Sequence, residues 1–509
     1  MYFDAERRIA EAILSDANHH GYQKEAIEFA MRVKKCALWM DLGLGKSGTS
    51  GKVIAETLAN LEINRWLIIA PLRVSRVTWP ETFSEWSYLA GLEYTVLSDD
   101  PETSKETKTD AVIRRSRSSR TSVDMVNMEM VPVLVDYWRR NWPYDGVVID
   151  ESSKFKDHKS QRFKKLALVY PYIERLIELT ATPASEGYES LFSQIALLDA
   201  GERLGKVITH YREEYFSYDP YKRKYTITEK RKREIDEKIA DIVLVQRAAD
   251  HLPDHKEPFF VEHKLPMTSE FQQQYEDMER ESVLELGDVE IVADNAAAVW
   301  GKLLQMASGM VYETWKEKHP TREGKMVNKR RPHHLHDEKL DELEELLDQL
   351  DGKPLLLAYH WEESLERIKK RFPWATILDK EGKYKKPWDA GKIRMLIAHP
   401  QSAGHGLNLQ KATNEMCFFD LHPSLENFLQ IIGRLNRQGQ KELVRVHLLL
   451  AKGTYDMRVW ESLKTKQDGE EALKNRISYI QRRERQKREK ANAEAAKAEM
   501  AMADEDDML

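Results

Sequence analysis

The segment "CALWMDLGLGKSGTSGKVI", Cys36 to Ile54, restricts the possible folds more than any other stretch of the chain. An apolar run, a turn with two glycines, a Lys-Ser pair and a helical pattern follow one another in the order of a phosphate-binding loop. Such a loop works when a parallel strand delivers it to a helix N-terminus, where backbone amides and the helix dipole attract anions. Gly43 and Gly45, flanking Leu44, let those amides approach, while Lys46 reaches the outer phosphates and the Ser47 hydroxyl suits magnesium. Met40 stands where the usual pattern has its first glycine. Ile54, Leu58 and Leu61 are expected on the buried face of the helix.

That loop calls for a parallel α/β sheet, and the flanking sequence supplies one. The runs "CALWM", "WLIIAP", "TSVDMV", "GVVID" and "LIELTAT" each end at a polar or small residue, as buried parallel strands do. A second such rhythm runs through "KPLLLAY", "IRMLIAHP", "NEMCFFD" and "LVRVHLLL". The stretch between them is charged and favours helix, and is read as a helical insertion with exposed loops. The resulting division is a first lobe over 1–195, an insertion over 196–335, a second lobe over 336–465 and a tail over 466–509. In the tail, Leu473, Ile477 and Ile480 share one helical face. Beyond them the stripe stops, leaving a charged helical or disordered end that is either solvated or a partner-binding segment.

Composition narrows the class of protein. With 32% charged residues, a mean hydropathy of −0.62 and no long apolar run, the chain has no expected membrane helix. Its start does not have the form of a secretory signal, and Cys36 and Cys417 sit within apolar runs, which fits reduced thiols in a cytoplasmic protein. A net charge of −6 excludes a globally basic nucleic-acid binder, so any such contact must be a local patch.

Two further groups carry chemistry. "GVVIDESS" delivers Asp150 and Glu151 at the carboxyl end of a strand, where ligands sit in open α/β sheets. An acid there suits a magnesium shell, and its neighbour suits polarising an attacking water. In "QIIGRLNRQGQ", a helix expected to end near Gly439 places Leu425, Phe428, Leu429 and Ile432 on one face and Gln430, Arg434 and Arg437 on the other. Two guanidiniums aimed away from an anchored helix are either a solvated surface or a charge-stabilising pair for a phosphate.

The succession "GYQKEAIEFA", "MDLGLGKS", "IIAPLRV", "VVIDESSKFKD", "LTATPASEG", "SAGHGLNL" and "QIIGRLNRQGQ" resembles the superfamily 2 helicases over residues 21–460. It is most similar to their Swi/Snf-related branch, in the compact form encoded by bacteriophages. The resemblance implies two RecA-like parallel-sheet P-loop lobes with a helical insertion between them and a charged helical tail. It also implies ATP and magnesium as cofactors. Gln23 would recognise adenine; Gly43, Leu44, Gly45, Lys46 and Ser47 would bind phosphates, with Ser47 and Asp150 on magnesium. Glu151 would activate water, while Thr180, Ala181, Thr182 and Ser153 would couple hydrolysis to movement. Gly404, Gly406 and Asn408 would lie near nucleotide and DNA, and Gln430, Arg434 and Arg437 would sense the γ-phosphate. Departures from the family pattern are Met40, Ser152 and Ser153, and Leu435-Asn436.

The implied partner is DNA, double-stranded and bound without sequence specificity, with a monomer favoured. Candidate contacts are Arg73, Trp79, the presumed loop Arg114 to Arg120 and the basic run Lys222 to Arg233. For those runs a solvated surface is an equal reading, and Trp79 also suits the core. Three functions stay open: a duplex DNA translocase, a strand-separating helicase and a non-enzymatic DNA-binding scaffold. The complete set of Lys46, Asp150, Glu151 and Arg437 argues against the last.

Overall fold

The computed structural model describes residues 8–9, 11–221, 224–253, 255–286, 289–293, 295–318, 326–379, 383–403 and 408–506. The chain forms two compact units, Met1–His251 with Gln467–Leu509, and Leu252–Lys466.

The first unit is built on seven strands: β1 (Lys35–Met40), β2 (Trp66–Ala70), β3 (Tyr94–Val96), β4 (Val123–Asn127), β5 (Gly146–Asp150), β6 (Arg175–Thr180) and β7 (Val243–Gln246). They lie in the order β3-β4-β2-β5-β6-β1-β7, every pair parallel. Helix α1 (Gly21–Arg32) precedes β1 and helix α2 (Lys46–Ala59) follows it. Because both faces of the sheet are covered, β1, β2, β4, β5 and β6 are buried almost throughout and mostly apolar, β4 and β6 also burying Asp124, Arg175 and Glu178. Tight packing sets some sequence choices directly. A Cβ on Gly146 would stand 2.4 Å from the Trp66 ring, so β5 has to open on glycine. The α2 stripe differs from expectation at one end: Ile54 is buried, but Leu61 lies beyond the helix with φ 58° and is exposed.

Register places the site. Trp39 pairs with Thr180 across β1 and β6, and Asp150 pairs with Leu179 across β5 and β6. The loops leaving β1, β5 and β6 therefore emerge side by side at the carboxyl edge, the position at which open α/β sheets bind ligands.

The second unit carries β8 (Phe259–Leu265), β9 (Leu355–Ala358), β10 (Thr376–Ile377), β11 (Met395–Ala398), β12 (Glu415–Phe418) and β13 (Arg445–Ala451), ordered β8-β13-β12-β9-β11-β10 and all parallel. Helix α3 (Leu425–Ile432) packs Leu425, Phe428 and Ile432 into its core. Helix α4 (Tyr455–Asp506) begins in this unit and belongs to the first from Gln467 onward.

The stretch 196–335, read as a helical insertion, is more varied than that. It supplies β7 to the first sheet and β8 to the second, together with three antiparallel hairpins: Phe216–Asp219 with Lys224–Ile227, Val283–Leu286 with Val289–Val292, and Met310–Lys318 with Met326–His334. It is divided between the two units rather than forming a segment of its own. In the tail, Leu473 and Ile477 lie in the first unit's core with Ile480 packed against them, as their spacing indicated. Cys36 and Cys417 are both buried free thiols; burial pushes the Cys36 thiol up to about 12, well away from reactivity. Among the described residues no helix is long and apolar enough to cross a membrane.

Candidate active site

At the carboxyl edge of the first sheet, Gly43 and Gly45 take φ of 85° and 79°, a conformation that L side chains rarely adopt. A Cβ on Gly45 would also lie 2.3 Å from the Gln23 amide nitrogen. Gln23, buried on α1, donates that nitrogen to the carbonyl of Leu44 at 3.1 Å, while its oxygen accepts the His20 N–H at 2.8 Å. The amide thus holds the loop from outside. Ser47 follows Lys46 in the first turn of α2, half-buried.

Lys46 turns back on its own loop. Its Nζ donates to the carbonyls of Met40 at 2.9 Å and Asp41 at 3.3 Å. Burial lowers its pKa, opposed by the carboxylates of Glu151, Asp150 and Asp41. Met40, where a glycine was expected, buries its side chain in the sheet and offers only this carbonyl to the loop.

Asp150 and Glu151 are both buried. Burial raises the Asp150 pKa, against the pull of Lys46 and of a hydrogen bond from Trp79. Glu151 has φ 60°, a conformation that costs a non-glycine residue about 1 kcal/mol or more and that marks functional sites. Thr180, Ala181 and Thr182 are buried between this pair and the glycine loop, and Thr180 Oγ1 accepts the Thr182 N–H at 3.1 Å. Ser152 donates to Gln194 Oε1 at 3.1 Å, and Gln194 donates to the Pro183 carbonyl at 2.8 Å, linking the acid loop to the threonine loop. The buried Ser153 hydroxyl has no hydrogen-bond partner among the described residues.

The second unit holds the remaining candidates. Helix α3 stops at Ile432, so the expected continuation to Gly439 is not formed. Arg434 and Arg437 lie in the turns that follow, not on a helical face with Gln430. The cause is tertiary: Leu435 is drawn fully into the core, and the Arg434 carbonyl accepts the Leu409 N–H at 3.1 Å. Nor do these side chains point freely outward. Gln430 is buried and donates to Glu426 at 3.2 Å, Arg434 is buried, and Arg437 is half-buried, its pKa lowered by that burial. Asn408 is exposed, whereas Gly404 and Gly406 lie outside the described residues.

Of the proposed DNA contacts, Trp79 is a core residue with a second role. It is fully buried, and its indole N–H donates to Asp150 Oδ2 at 3.0 Å. Trp79→Phe is expected to lower turnover about tenfold through a misplaced Asp150 while the fold persists, checked by steady-state kinetics beside thermal unfolding. The run from Arg114 is largely helix, not loop, within Lys108–Ser118. There Arg114 pairs with Glu102 and Glu106, and Arg115 caps the carbonyls of Leu97, Asp99 and Asp100. Arg73 is half-buried; Lys222 and Arg223 lie outside the described residues, and Arg231 and Lys232 form exposed ion pairs along their helix.

Sequence reading missed Trp79 as a partner of Asp150, and it missed Asp41, Glu470 and Lys474. Glu470 Oε2 accepts the Ala184 N–H at 3.0 Å, and burial pushes its carboxyl up to about 7. The folded state then holds a proton that the unfolded chain releases above its ordinary value near 4.5, so this residue's contribution to stability is lost as pH rises through about 7. Glu470→Gln is expected to gain up to about 3 kcal/mol over the native chain between pH 5 and pH 8, read as a widening gap in urea midpoints.

A family model described as "SNF2-related domain" matches residues 22–300. The chain is 31% identical over 471 residues to "Putative protein p41" of Acyrthosiphon pisum secondary endosymbiont phage 1, covering 87% of this chain and 95% of that protein. It is 24% identical to the SWI/SNF-related matrix-associated actin-dependent regulator of chromatin subfamily A-like protein 1 of Xenopus laevis, covering 87% of this chain and 43% of the relative. With the DNA annealing helicase and endonuclease ZRANB3 of Bos taurus it shares 22% identity over 87% of this chain and 39% of the relative. The chain thus spans less than half the length of these two animal proteins. A solved structure, the Sulfolobus solfataricus SWI2/SNF2 ATPase core in complex with dsDNA, is similar at a TM-score of 0.41 and 19% identity, covering 91% of this chain and 94% of that one.

Proposed function

The chain belongs to the SNF2-related family of ATPases, and from that premise we propose that it is a motor that hydrolyses ATP to move along double-stranded DNA. The observation that supports this best is the meeting of Lys46, Asp150, Glu151 and Thr180 to Thr182 at one edge of one parallel sheet. The duplex track is inferred from a relative named a DNA annealing helicase, since re-forming a duplex requires engaging both strands.

The residues present suit a magnesium nucleotide. Gly43 and Gly45 open a cradle of backbone amides around Leu44, and Ser47 and Asp150 offer the hard oxygen donors that magnesium takes. When bound, the ion neutralises phosphate charge and orients the nucleotide. In this reading Gln23 contacts adenine next to the loop it supports, and Lys46 exchanges the carbonyls of Met40 and Asp41 for phosphate oxygens. Asp150, held by Trp79, serves as a magnesium ligand with Ser47, and Glu151 takes the proton of the attacking water. Thr180, Ala181, Thr182 and Ser153 pass the change at the phosphates to the DNA-bound elements. Arg434 and Arg437 are proposed to answer the γ-phosphate, Gln430 to position the water and Asn408 to border the nucleotide. Contacts to phosphates alone would make binding indifferent to sequence and compatible with an acidic chain.

The test is ATP-dependent release of a triplex-forming strand from duplex DNA, run beside unwinding of a forked duplex. Release without unwinding supports the translocase, unwinding favours a strand-separating helicase, and neither, with ATP hydrolysis intact, removes translocation.

A further inference from the structure

Beyond residue 300, where the family match ends, α4 contributes polar side chains to the first unit's nucleotide edge. Glu470 and Lys474 lie one turn apart on its buried face, beside the core residues Leu473 and Ile477. Lys474 Nζ donates to Asp41 Oδ1 at 2.8 Å. Asp41 is the loop residue whose carbonyl accepts from Lys46, and its other carboxylate oxygen accepts the Ala248 N–H at 2.9 Å. Its own N–H donates to the Gln246 carbonyl at 3.0 Å, so three contacts fix the residue on which Lys46 rests. Four positions before Lys474, Glu470 accepts the Ala184 N–H, two residues past Thr182. Arg476 anchors the next turn on Asp236 at 2.6 Å, and Gln481 donates to the Ala240 carbonyl at 3.2 Å.

Docking a helix needs only its apolar stripe. A buried ion pair adds little net stability, because desolvation offsets the attraction. The carboxylates of Asp41, Glu470 and Glu471 nevertheless overcome burial and keep Lys474 charged, and Lys474 in turn holds the Asp41 carboxyl below its usual range despite burial. The polar pair is thus directed at two particular loops, the glycine loop and the threonine loop.

We propose that Lys474 and Glu470 are positioning residues for ATP hydrolysis, Lys474 fixing the glycine loop through Asp41 and Glu470 fixing the loop after Thr182 through the Ala184 amide. The inference rests on the nucleotide-site reading above. It makes α4 a strut joining the phosphate-binding loop to the loop proposed to transmit hydrolysis. Displacing either loop by about 1 Å can cost on the order of a hundredfold in rate.

The test combines Lys474→Met, Lys474→Arg, Glu470→Leu and Glu470→Gln with three readouts: duplex-stimulated ATP turnover, affinity for a fluorescent ADP, and thermal unfolding. Lys474→Met is expected to lower both turnover and ADP affinity, by about tenfold or more in turnover, with Lys474→Arg recovering part of each. Glu470→Leu is expected to lower turnover by a similar factor with ADP affinity within about twofold, and Glu470→Gln, which still accepts from Ala184, to restore turnover. Variants that only melt earlier, with turnover and affinity unchanged, would overturn the proposal and leave α4 a packing element. Native protein that binds ADP without hydrolysing ATP would sink the motor reading and with it the role given to Glu470, while Lys474→Met still decides through ADP affinity whether Lys474 fixes the glycine loop. Native protein that binds no nucleotide overturns both.

Discussion

Glu151→Gln is expected to reduce ATP turnover by about a hundredfold to ten-thousandfold, the usual worth of a positioned general base, while ADP still binds. The substitution preserves shape and removes the charge that accepts a proton. The side chain is buried at the carboxyl end of β5 in a left-handed backbone conformation, the kind of strain that concentrates at functional sites. Neutralising it also removes one of the charges that hold Lys46 protonated. Lys46→Ala is expected to be as damaging by another route, since the cation proposed to pair with the phosphates is gone and both nucleotide affinity and turnover fall. Circular dichroism and thermal unfolding should show both variants folded. Turnover near the native level in Glu151→Gln would contradict its assignment as the base.

Arg437→Ala is expected to cost about a thousandfold or more in turnover with a much smaller loss of ATP affinity, because an arginine that stabilises transition-state charge acts little on the ground state. Its half-burial withdraws the guanidinium partly from water, which lowers its pKa and lets charge on a phosphate be felt more strongly. The Arg434 side chain is buried more deeply, so Arg434→Ala should also lower stability, which makes Arg437 the cleaner probe. Equal losses in affinity and turnover at Arg437 would recast it as a binding group.

The parts of the fold legible in the sequence were those written locally. Strands buried on both faces are rich in apolar residues, so β1, β2, β4, β5, β6, β9, β11, β12 and β13 could be read as runs. The loop from Met40 to Ser47 and the acids at 150 and 151 followed from chemistry confined to a few neighbouring residues. What failed depended on distant partners. β8 is an edge strand, "FFVEHKL", with most of its residues wholly or partly exposed, and β7 is four residues long beside a charged helix, so neither stands out as a run. Helix α3 was read too long because the pull on Leu435 and the bond to Leu409 are tertiary. The contacts of Trp79 with Asp150 and of Lys474 with Asp41 span 71 and 433 residues, and no spacing rule reaches so far.

The central claim is tested most directly by steady-state ATP hydrolysis with no nucleic acid, with single-stranded DNA, with duplex DNA and with RNA, each at two salt concentrations. The expected result is strong stimulation by duplex DNA, independent of its sequence and weakening as salt rises. Hydrolysis indifferent to every nucleic acid, or stimulated by single strands and not by duplex, would contradict a motor that runs on double-stranded DNA.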